Sequence, residues 1–220
     1  MNWKTVLEVL YTSESSQHAF LKQIGKMLLY NMGCNLVDEE IKLNRLGLVP
    51  YTNLDNKKVI DVLGVGMRYT KPRKNGKCPY FHLKKPDKYL FGYNILRGIE
   101  VKVSRSDFQN GFNITGCNYN YLLTPMKLIS PSVIPREVGL IEYNRYKFEC
   151  SINEEETPNN KPFKIKGLRL VKKPKFRRVP QFHIDHAINQ IALRQCNPKS
   201  VYIKVMDKLS DPELVYQDPV

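Results

Sequence analysis

The sequence predicts an α/β protein with a central mixed β-sheet flanked by helices. Two segments, one near each end of the chain, repeat apolar residues at helical spacing, and several short apolar runs bounded by turn residues lie between them. In chain order these segments give a helix, three strands, a short helix and further strands, which is an α-β-β-β-α-β order. With 220 residues and 42% hydrophobic content, the chain can bury one sizeable core.

The first half of the chain is expected to hold one helix and three strands. Phe20 and Ile24 recur at helical spacing, and either Ser13 or Ser15 can cap a helix that ends near residues 31–33. Strands are predicted in the three apolar runs that follow, NLVDEEIKL, KKVIDVLGVGM and FGYNILRGIEVKVS.

The second half is expected to begin with a short helix, because Ser104 and Asp107 form the S-x-x-D pattern of a capping box. Two strands, NYNYLLTP and VGLIEYN, follow around a Pro-punctuated loop, and GLRLVKKPKFRR is partly strand-like. SINEEETPNNKP is predicted to be a loose polar loop. The last helix is predicted in FHIDHAINQIALR, with Ile184, Ile188 and Ile191 on one face.

We expect one domain over residues 1–196, with a basic insertion at about 67–93 and a C-terminal appendage at 197–220. Pro and Gly at turn positions predict that the insertion is a long loop or a hairpin arm. The sequence holds no apolar span of ~18 residues, so no membrane segment is expected. Five widely spread cysteines without a Cys-x-x-Cys pair indicate a reducing compartment, and we expect a cytoplasmic protein.

The charge balance predicts a polyanionic partner. The chain has 35 Lys and Arg residues against 21 Asp and Glu residues, a formal net charge of +14. Such an excess attracts nucleic acid or, as the alternative, an anionic membrane surface. We expect the partner to be DNA, double- or single-stranded, and no membrane.

Two acids interrupt otherwise apolar strands. Asp61 lies within VIDVLG, and Glu100 lies within GIEVKVS, where alternation places it on the same strand face as Lys102. Taken alone, Glu100 and Lys102 are equally consistent with a simple ion pair. If the two strands are neighbours, however, Asp61 and Glu100 meet, and a cation between them would relieve the repulsion of their charges.

The chemistry that this arrangement predicts is metal-assisted hydrolysis of a phosphodiester. Mg²⁺ or Mn²⁺ needs only a few carboxylate oxygens beside water and substrate phosphate, and the main-chain carbonyl of Val101 is a further expected ligand. Lys102 would orient the attacking water or stabilise the charge that develops on the phosphoryl group.

The same residues carry a resemblance to a known family. Asp61 in one strand, followed by IEVK at residues 99–102, resembles the signature of the PD-(D/E)xK nuclease superfamily with its restriction-endonuclease-like fold. The blocks EVKVSRSDF, YLLTP and VIPREVGLI resemble, in order and character, the MmcB-like endonucleases assigned to DNA repair. The resemblance covers residues 15–195 or so.

The resemblance implies a metal-dependent DNA nuclease, an endonuclease of DNA repair, recombination or phage and bacterial DNA processing. Asp61, Glu100 and Lys102 would be catalytic, with the first two as metal ligands. Glu40 would be an acid from the first strand, with Glu39 as its alternative, and Glu14 is a candidate for an additional acid from the first helix. A homodimer is also expected, because many enzymes of this fold pair to cut both strands. The alternatives are a non-catalytic nucleic-acid-binding protein that retains the fold and, further away, a protein-interaction factor.

Basic residues near aromatic ones are the candidates for nucleic-acid contacts. The alternative for each group is an ordinary solvated surface. The candidates are Lys71, Arg73, Lys74, Lys77, Lys84 and Lys85 in the insertion, Arg105 after the motif strand, and Lys172, Lys173, Lys175, Arg177 and Arg178 before the last helix.

Overall fold

The computed structural model describes residues 14–42, 59–70, 91–111, 116–153 and 161–195. The expected order of helix, three strands, helix and strand is confirmed, and further strands and a last helix follow it. The elements are α1 (Glu14–Asn31), β1 (Cys34–Lys42), β2 (Val59–Thr70), β3 (Phe91–Val101), α2 (Arg105–Gln109), β4 (Tyr119–Pro125), β5 (Val138–Tyr143), β6 (Glu149–Ile152), β7 (Phe163–Lys166), β8 (Leu168–Lys172) and α3 (Gln181–Gln195).

Six strands form one mixed sheet in the order β1-β2-β3-β4-β5-β8. The first three are antiparallel to one another, β3, β4 and β5 are parallel, and β8 is antiparallel to β5. This architecture confirms the predicted α/β class and is compatible with a restriction-endonuclease-like core. No helix in the described ranges is both long and apolar enough to cross a membrane.

The two long helices cover opposite faces of the sheet because each has one apolar face. Leu21 and Ile24 of α1 are fully buried in a cluster that includes Val62 of β2. Ile184 and Ile191 of α3 are buried in a second cluster on the other face, with the predicted Ile188 partly buried against it. Burial of these side chains supplies the main driving force for the three-layer packing.

Two local predictions concern the edges of these elements, and the first is wrong in part. Helix α1 begins at Glu14, so Ser15 lies inside its first turn and does not cap it. The ladder between β2 and β3 continues to the pair Thr70 and Phe91, so both ends of the expected insertion at about 67–93 are paired as in the hairpin arm that the sequence offered as one alternative. The rest of the insertion and the expected appendage at 197–220 lie outside the described residues.

The prediction of a loose loop over residues 151–162 is wrong at its first residues, because β6 includes Ser151 and Ile152. β6 pairs with β7 in a small separate sheet. Asn31, at the end of α1, fixes this hairpin: its amide nitrogen donates to the carbonyl of Phe163 at 2.9 Å, and its amide oxygen accepts from the Phe163 N–H at 3.0 Å. A tertiary contact with the helix thus supports strands too short and polar to be predicted.

The end of α3 covers the free edge of β1. The guanidinium of Arg194 donates to the carbonyl of Glu39, and the side-chain amide of Gln195 donates to the carbonyl of Val37 at 3.4 Å. Backbone acceptors that would otherwise face outward at this edge are therefore bound within the chain.

Candidate active site

The structure brings Asp61 and Glu100 together on neighbouring strands. Val62 of β2 pairs with Ile99 of the antiparallel strand β3. Asp61 precedes Val62 and Glu100 follows Ile99, so the two acids lie next to each other. The Asp61 carboxylate reaches across to β3 and accepts a hydrogen bond of 2.8 Å from the N–H of Val101. The acids therefore lie side by side at the end of β3, as the sequence predicts.

Lys102 is held beside Glu100 by the first turn of α2. Its ammonium lies 3.5 Å from Glu100 Oε1 and 3.1 Å from Asp107 Oδ1. The other oxygen of Asp107 accepts from the N–H of Val103 at 3.2 Å, and Ser104 Oγ accepts from the N–H of Asp107 at 3.1 Å. The predicted helix cap is present, and its acid also orients the candidate catalytic lysine.

Glu100 is the most perturbed acid of the site. Its residue is 7% exposed, and its Oε2 is buried without a hydrogen-bond partner in the described part of the chain. Burial, followed by the nearby negative charge of Asp61, raises the pKa of Glu100 from 4.5 to about 7, although Lys102 opposes the shift. Near neutral pH this carboxyl is therefore close to half protonated.

Asp61 stays ionised although it is largely buried. Burial raises its pKa, but the hydrogen bonds from His18 and from the Val101 N–H, together with the positive charges of His18 and Lys22, outweigh burial and lower it. His18 Nε2 lies 3.6 Å from one Asp61 oxygen, and Lys22 Nζ lies 3.5 Å from the other. The contact with Asp61 also raises the pKa of His18 against the effect of burial.

The structure adds His18 and Lys22 to the site. Both lie on α1, four residues apart, so they share one helix face. That spacing, opposite the strand that carries Asp61, is the signal from which the sequence could have identified them. The side chain of Glu14, the additional acid considered from this helix, lies outside the described residues.

The first strand supplies two acids to α1 because its backbone is irregular. Consecutive strand residues normally face opposite ways, yet Glu39 contacts Lys26 at 3.3 Å and Glu40 contacts Lys22 at 3.0 Å. Glu40 has φ of 55°, a left-handed conformation that is unfavourable for a residue with a Cβ. Strain of this kind is concentrated at functional sites.

Glu40, and not Glu39, shares an ion-pair partner with Asp61, because the Lys22 ammonium lies between the carboxylates of Glu40 and Asp61. Burial lowers the pKa of Lys22, but the carboxylates of Glu40 and Asp61 outweigh it and raise that pKa. Lys22 in turn lowers the pKa of Glu40. Glu40 would bind an ion shared with Asp61 only after this ammonium has moved.

The donor set fits a divalent ion of the magnesium type. Asp61 and Glu100 would supply carboxylates, the Val101 carbonyl is the further ligand expected from the sequence, and the buried Glu100 Oε2 has no hydrogen-bond partner among the described residues. Within the described ranges there is no cluster of three or more His, Cys, Asp or Glu residues that could hold a metal. Mg²⁺ needs fewer protein ligands than that, since it keeps water and takes substrate phosphate oxygens.

The predicted nucleic-acid contacts fall into three groups. Arg105 is exposed on α2, next to the site, where its Nε donates to the Leu128 carbonyl at 3.4 Å. Lys172 donates to the carbonyls of Ile134 and Pro135 at 2.7 and 2.9 Å, so its ammonium is bound within the fold. The other exposed candidates are Lys173, Lys175, Arg177 and Arg178, and those outside the described residues are Lys71, Arg73, Lys74, Lys77, Lys84 and Lys85.

Comparison with known proteins adds one structural likeness. No protein-family model matches the sequence, and no curated protein matches it. A solved structure described as the SPO1766 protein of unknown function from Silicibacter pomeroyi is 17% identical, with 82% of this chain and 84% of that chain covered and a TM-score of 0.38. The functional assignment therefore depends on the side chains of the site itself.

Proposed function

We propose that the protein is a metal-dependent deoxyribonuclease that hydrolyses phosphodiester bonds of DNA as an endonuclease, with Mg²⁺ or Mn²⁺. Glu100 carries the proposal, because it is a buried carboxyl with an unpartnered oxygen beside Asp61 and 3.5 Å from Lys102. Such a group destabilises a fold unless a ligand compensates it, and strongly perturbed acids of this kind are typical of functional sites. The resemblance to the PD-(D/E)xK superfamily supports the same assignment.

In this proposal Asp61 and Glu100 hold the ion, with the Val101 carbonyl as the remaining protein ligand. The ion would supply charge neutralisation at the scissile phosphate and a more acidic bound water. Lys102 orients the attacking water or stabilises the charge on the phosphoryl oxygens. Asp107 keeps the lysine ammonium next to Glu100 rather than in solvent.

The substrate and setting belong to the same proposal. The net charge of +14 supports DNA as the partner, either double- or single-stranded. A role in DNA repair, recombination or phage and bacterial DNA processing follows from the resemblance. The proposed cytoplasmic location is supported by the five widely spread cysteines, none of them in a Cys-x-x-Cys pair. A homodimer would allow both strands of a duplex to be cut.

A second candidate is a nucleic-acid-binding protein that does not cleave. Lys22 favours it, because its ammonium lies 3.0 Å from Glu40 and 3.5 Å from Asp61 and so balances two acids without an ion. The two candidates share the basic surface and differ only in what Asp61 binds during function.

Incubation of plasmid and single-stranded DNA with Mg²⁺, Mn²⁺ or EDTA tests the proposal. Wild type is expected to cut only with metal, and Lys102→Ala and Asp61→Asn are expected to lose at least about a hundredfold in rate. Lys164→Ala, which removes an exposed lysine on β7, is the matched control and should cut normally.

Each alternative result has its own meaning. DNA binding without cleavage by the wild type would favour the second candidate. Cleavage that survives both site variants unchanged would show that the catalytic residues lie elsewhere. If no DNA binds at low salt, both candidates fail and an interaction with protein remains.

A further inference from the structure

An extended basic segment crosses one end of the sheet directly after β8. We call residues 173–178, KPKFRR, the basic strap; they belong to neither a helix nor a strand. Pro174 and Phe176 are half-buried, and the intervening side chains are exposed. The exposed cations are Lys173, Lys175, Arg177 and Arg178.

Main-chain hydrogen bonds fix the strap to the starts of two parallel strands. The N–H of Lys175 donates to the carbonyl of Glu137, just before β5, at 3.0 Å. The N–H of Arg177 donates to the carbonyl of Asn118, just before β4, and the Asn118 side chain donates back to the Arg177 carbonyl, both at 2.9 Å. Asn118 is 2% exposed, and its amide oxygen accepts from the N–H of Leu96, so the anchor reaches the sheet interior.

Aromatic contacts hold the inward side of the strap. The Arg68 guanidinium lies 4.0 Å from the centroid of the Phe176 ring, and the Tyr119 ring meets Phe176 edge-on at 5.5 Å. Arg97 of β3 lies 5.7 Å from the centroid of the Tyr119 ring. The strap is therefore packed against side chains of β2 and β4 and is not a loose charged loop.

Anchoring leaves a row of cations that have no ion-pair partner among the described residues. Across the described ranges, Lys173, Lys175 and Arg177 form no ion pair, in contrast to the lysines of the carboxylate site. In an extended chain, every second residue faces the same way at intervals of about 6.6 Å. A rigid row of charges at that interval is suited to successive phosphates of one nucleic-acid strand and loses little entropy on binding.

The strap and the carboxylate site lie at different levels along the parallel strands. It contacts the starts of β4 and β5, whereas Glu100 lies at the end of the parallel strand β3. Asn118, which anchors the strap, binds Leu96 of β3, and Leu96 is four residues before Glu100, which is about 13 Å along a strand. At 3.4 Å per step along duplex DNA, this separation corresponds to about four base steps.

We propose that the basic strap binds the phosphate backbone of the DNA whose scissile phosphate occupies the carboxylate site. The second half of this statement rests on the proposed function, whereas phosphate binding by the strap does not. The substrate is accordingly a polymer long enough to span about four steps, not a single nucleotide. Lys172 has no part in this surface, since two carbonyls bind its ammonium.

Fluorescence anisotropy of a labelled duplex of about 25 base pairs, in EDTA and over a salt series, tests the strap. The variant is Lys173→Ala/Lys175→Ala/Arg177→Ala. Its slope of log affinity against log salt should fall by about 2.7, because each lost phosphate contact removes about 0.9. The control, with the same loss of charge, removes three exposed lysines of the turn and hairpin around β6 and β7, Lys147→Ala/Lys161→Ala/Lys164→Ala, and should change the slope by less than about 1.

The possible results separate this inference from the proposed nuclease. Equal loss in both triple variants would overturn the strap, since overall charge alone would then explain binding. Binding to phosphatidylserine vesicles but not to DNA, with the same dependence on the strap, would also overturn it. If the slope falls as expected but the wild type cuts nothing with metal, the strap stands and the nuclease assignment fails. If the wild type cuts DNA with metal but the triple strap variant keeps the wild-type salt slope, the nuclease assignment stands and the strap inference fails.

Discussion

Replacing Glu100 with Gln should stabilise the folded protein at high pH. The pKa of Glu100 is raised from 4.5 to about 7, and each pKa unit corresponds to about 1.4 kcal/mol of difference between the protonated and ionised forms. The residue is 7% exposed, so solvent screens this cost little. We therefore expect ionised Glu100 to cost about 3 kcal/mol of folding free energy, which Glu100→Gln removes.

The sign of the pH dependence follows from the proton count. Between about pH 4.5 and 7 the folded chain keeps the Glu100 proton that the unfolded chain has lost, so wild-type stability falls as pH rises through this window. Below it, wild type and Glu100→Gln should unfold at similar denaturant concentrations. Above it, the variant should be more stable by up to about 3 kcal/mol.

Urea unfolding followed by circular dichroism at pH 4 to 8 measures this difference, and comparison at each pH cancels the titration of other groups. Glu142→Gln is the matched control, because Glu142 is 5% exposed but is bound by Arg169 at 2.8 Å and by the N–H of Lys127 at 3.1 Å. That variant should be less stable than wild type. A variant at Glu100 that is less stable than wild type at pH 8, or a difference independent of pH, would refute the reasoning.

Three shorter predictions concern the surroundings of the site. Asp107→Asn should lower the cleavage rate about tenfold with little change in KM, and should have no further effect in a Lys102→Ala background, because the two side chains act as a unit. Lys22→Met should strengthen Mn²⁺ binding, measured by calorimetry, about fivefold, since even in water a charge this near to Asp61 is worth about 1 kcal/mol. Gly64→Ala should lower the unfolding free energy by about 1–3 kcal/mol in urea titrations, because its Cβ would lie 2.8 Å from a buried sulfur atom.

Different results would be informative for each of these three. Additive losses in the double variant would mean that Asp107 supports the fold of α2 and not the lysine. Unchanged Mn²⁺ affinity after Lys22→Met would place the ion away from Asp61. Wild-type stability after Gly64→Ala would mean that β1 can move away from β2 at little cost.

Alternation along strands predicted which side chains share a strand face, and the meeting of Asp61 with Glu100 was predicted on the condition that their strands are neighbours. Glu100 and Lys102 lie on one strand face because they are two residues apart. Hydrophobic patterning predicted both strands correctly, and Asp61 lies beside Glu100 because β2 and β3 are paired. The short helix after β3 was likewise predicted from Ser104 and Asp107, whose cap is formed as expected. Here local rules and tertiary structure agree.

The remaining parts depend on contacts between distant segments. The choice between Glu39 and Glu40 could not be made from alternation, because the left-handed backbone of Glu40 places both on the same side. The β6–β7 hairpin depends on Asn31, more than a hundred residues earlier in the chain. Lys172 resembles its exposed neighbours in sequence, and only the fold places two carbonyls at its ammonium.

The cap that α3 places over β1 limits how two copies of the chain could associate. Because Arg194 and Gln195 already bind carbonyls along that border, a second chain could extend the sheet there only by first detaching the end of the helix. On the opposite border, β8 has no further strand beside it within the described residues, and Leu170 is 48% exposed there. Self-association by strand addition would thus occur at β8 and not at β1, the edge strand that carries Glu40.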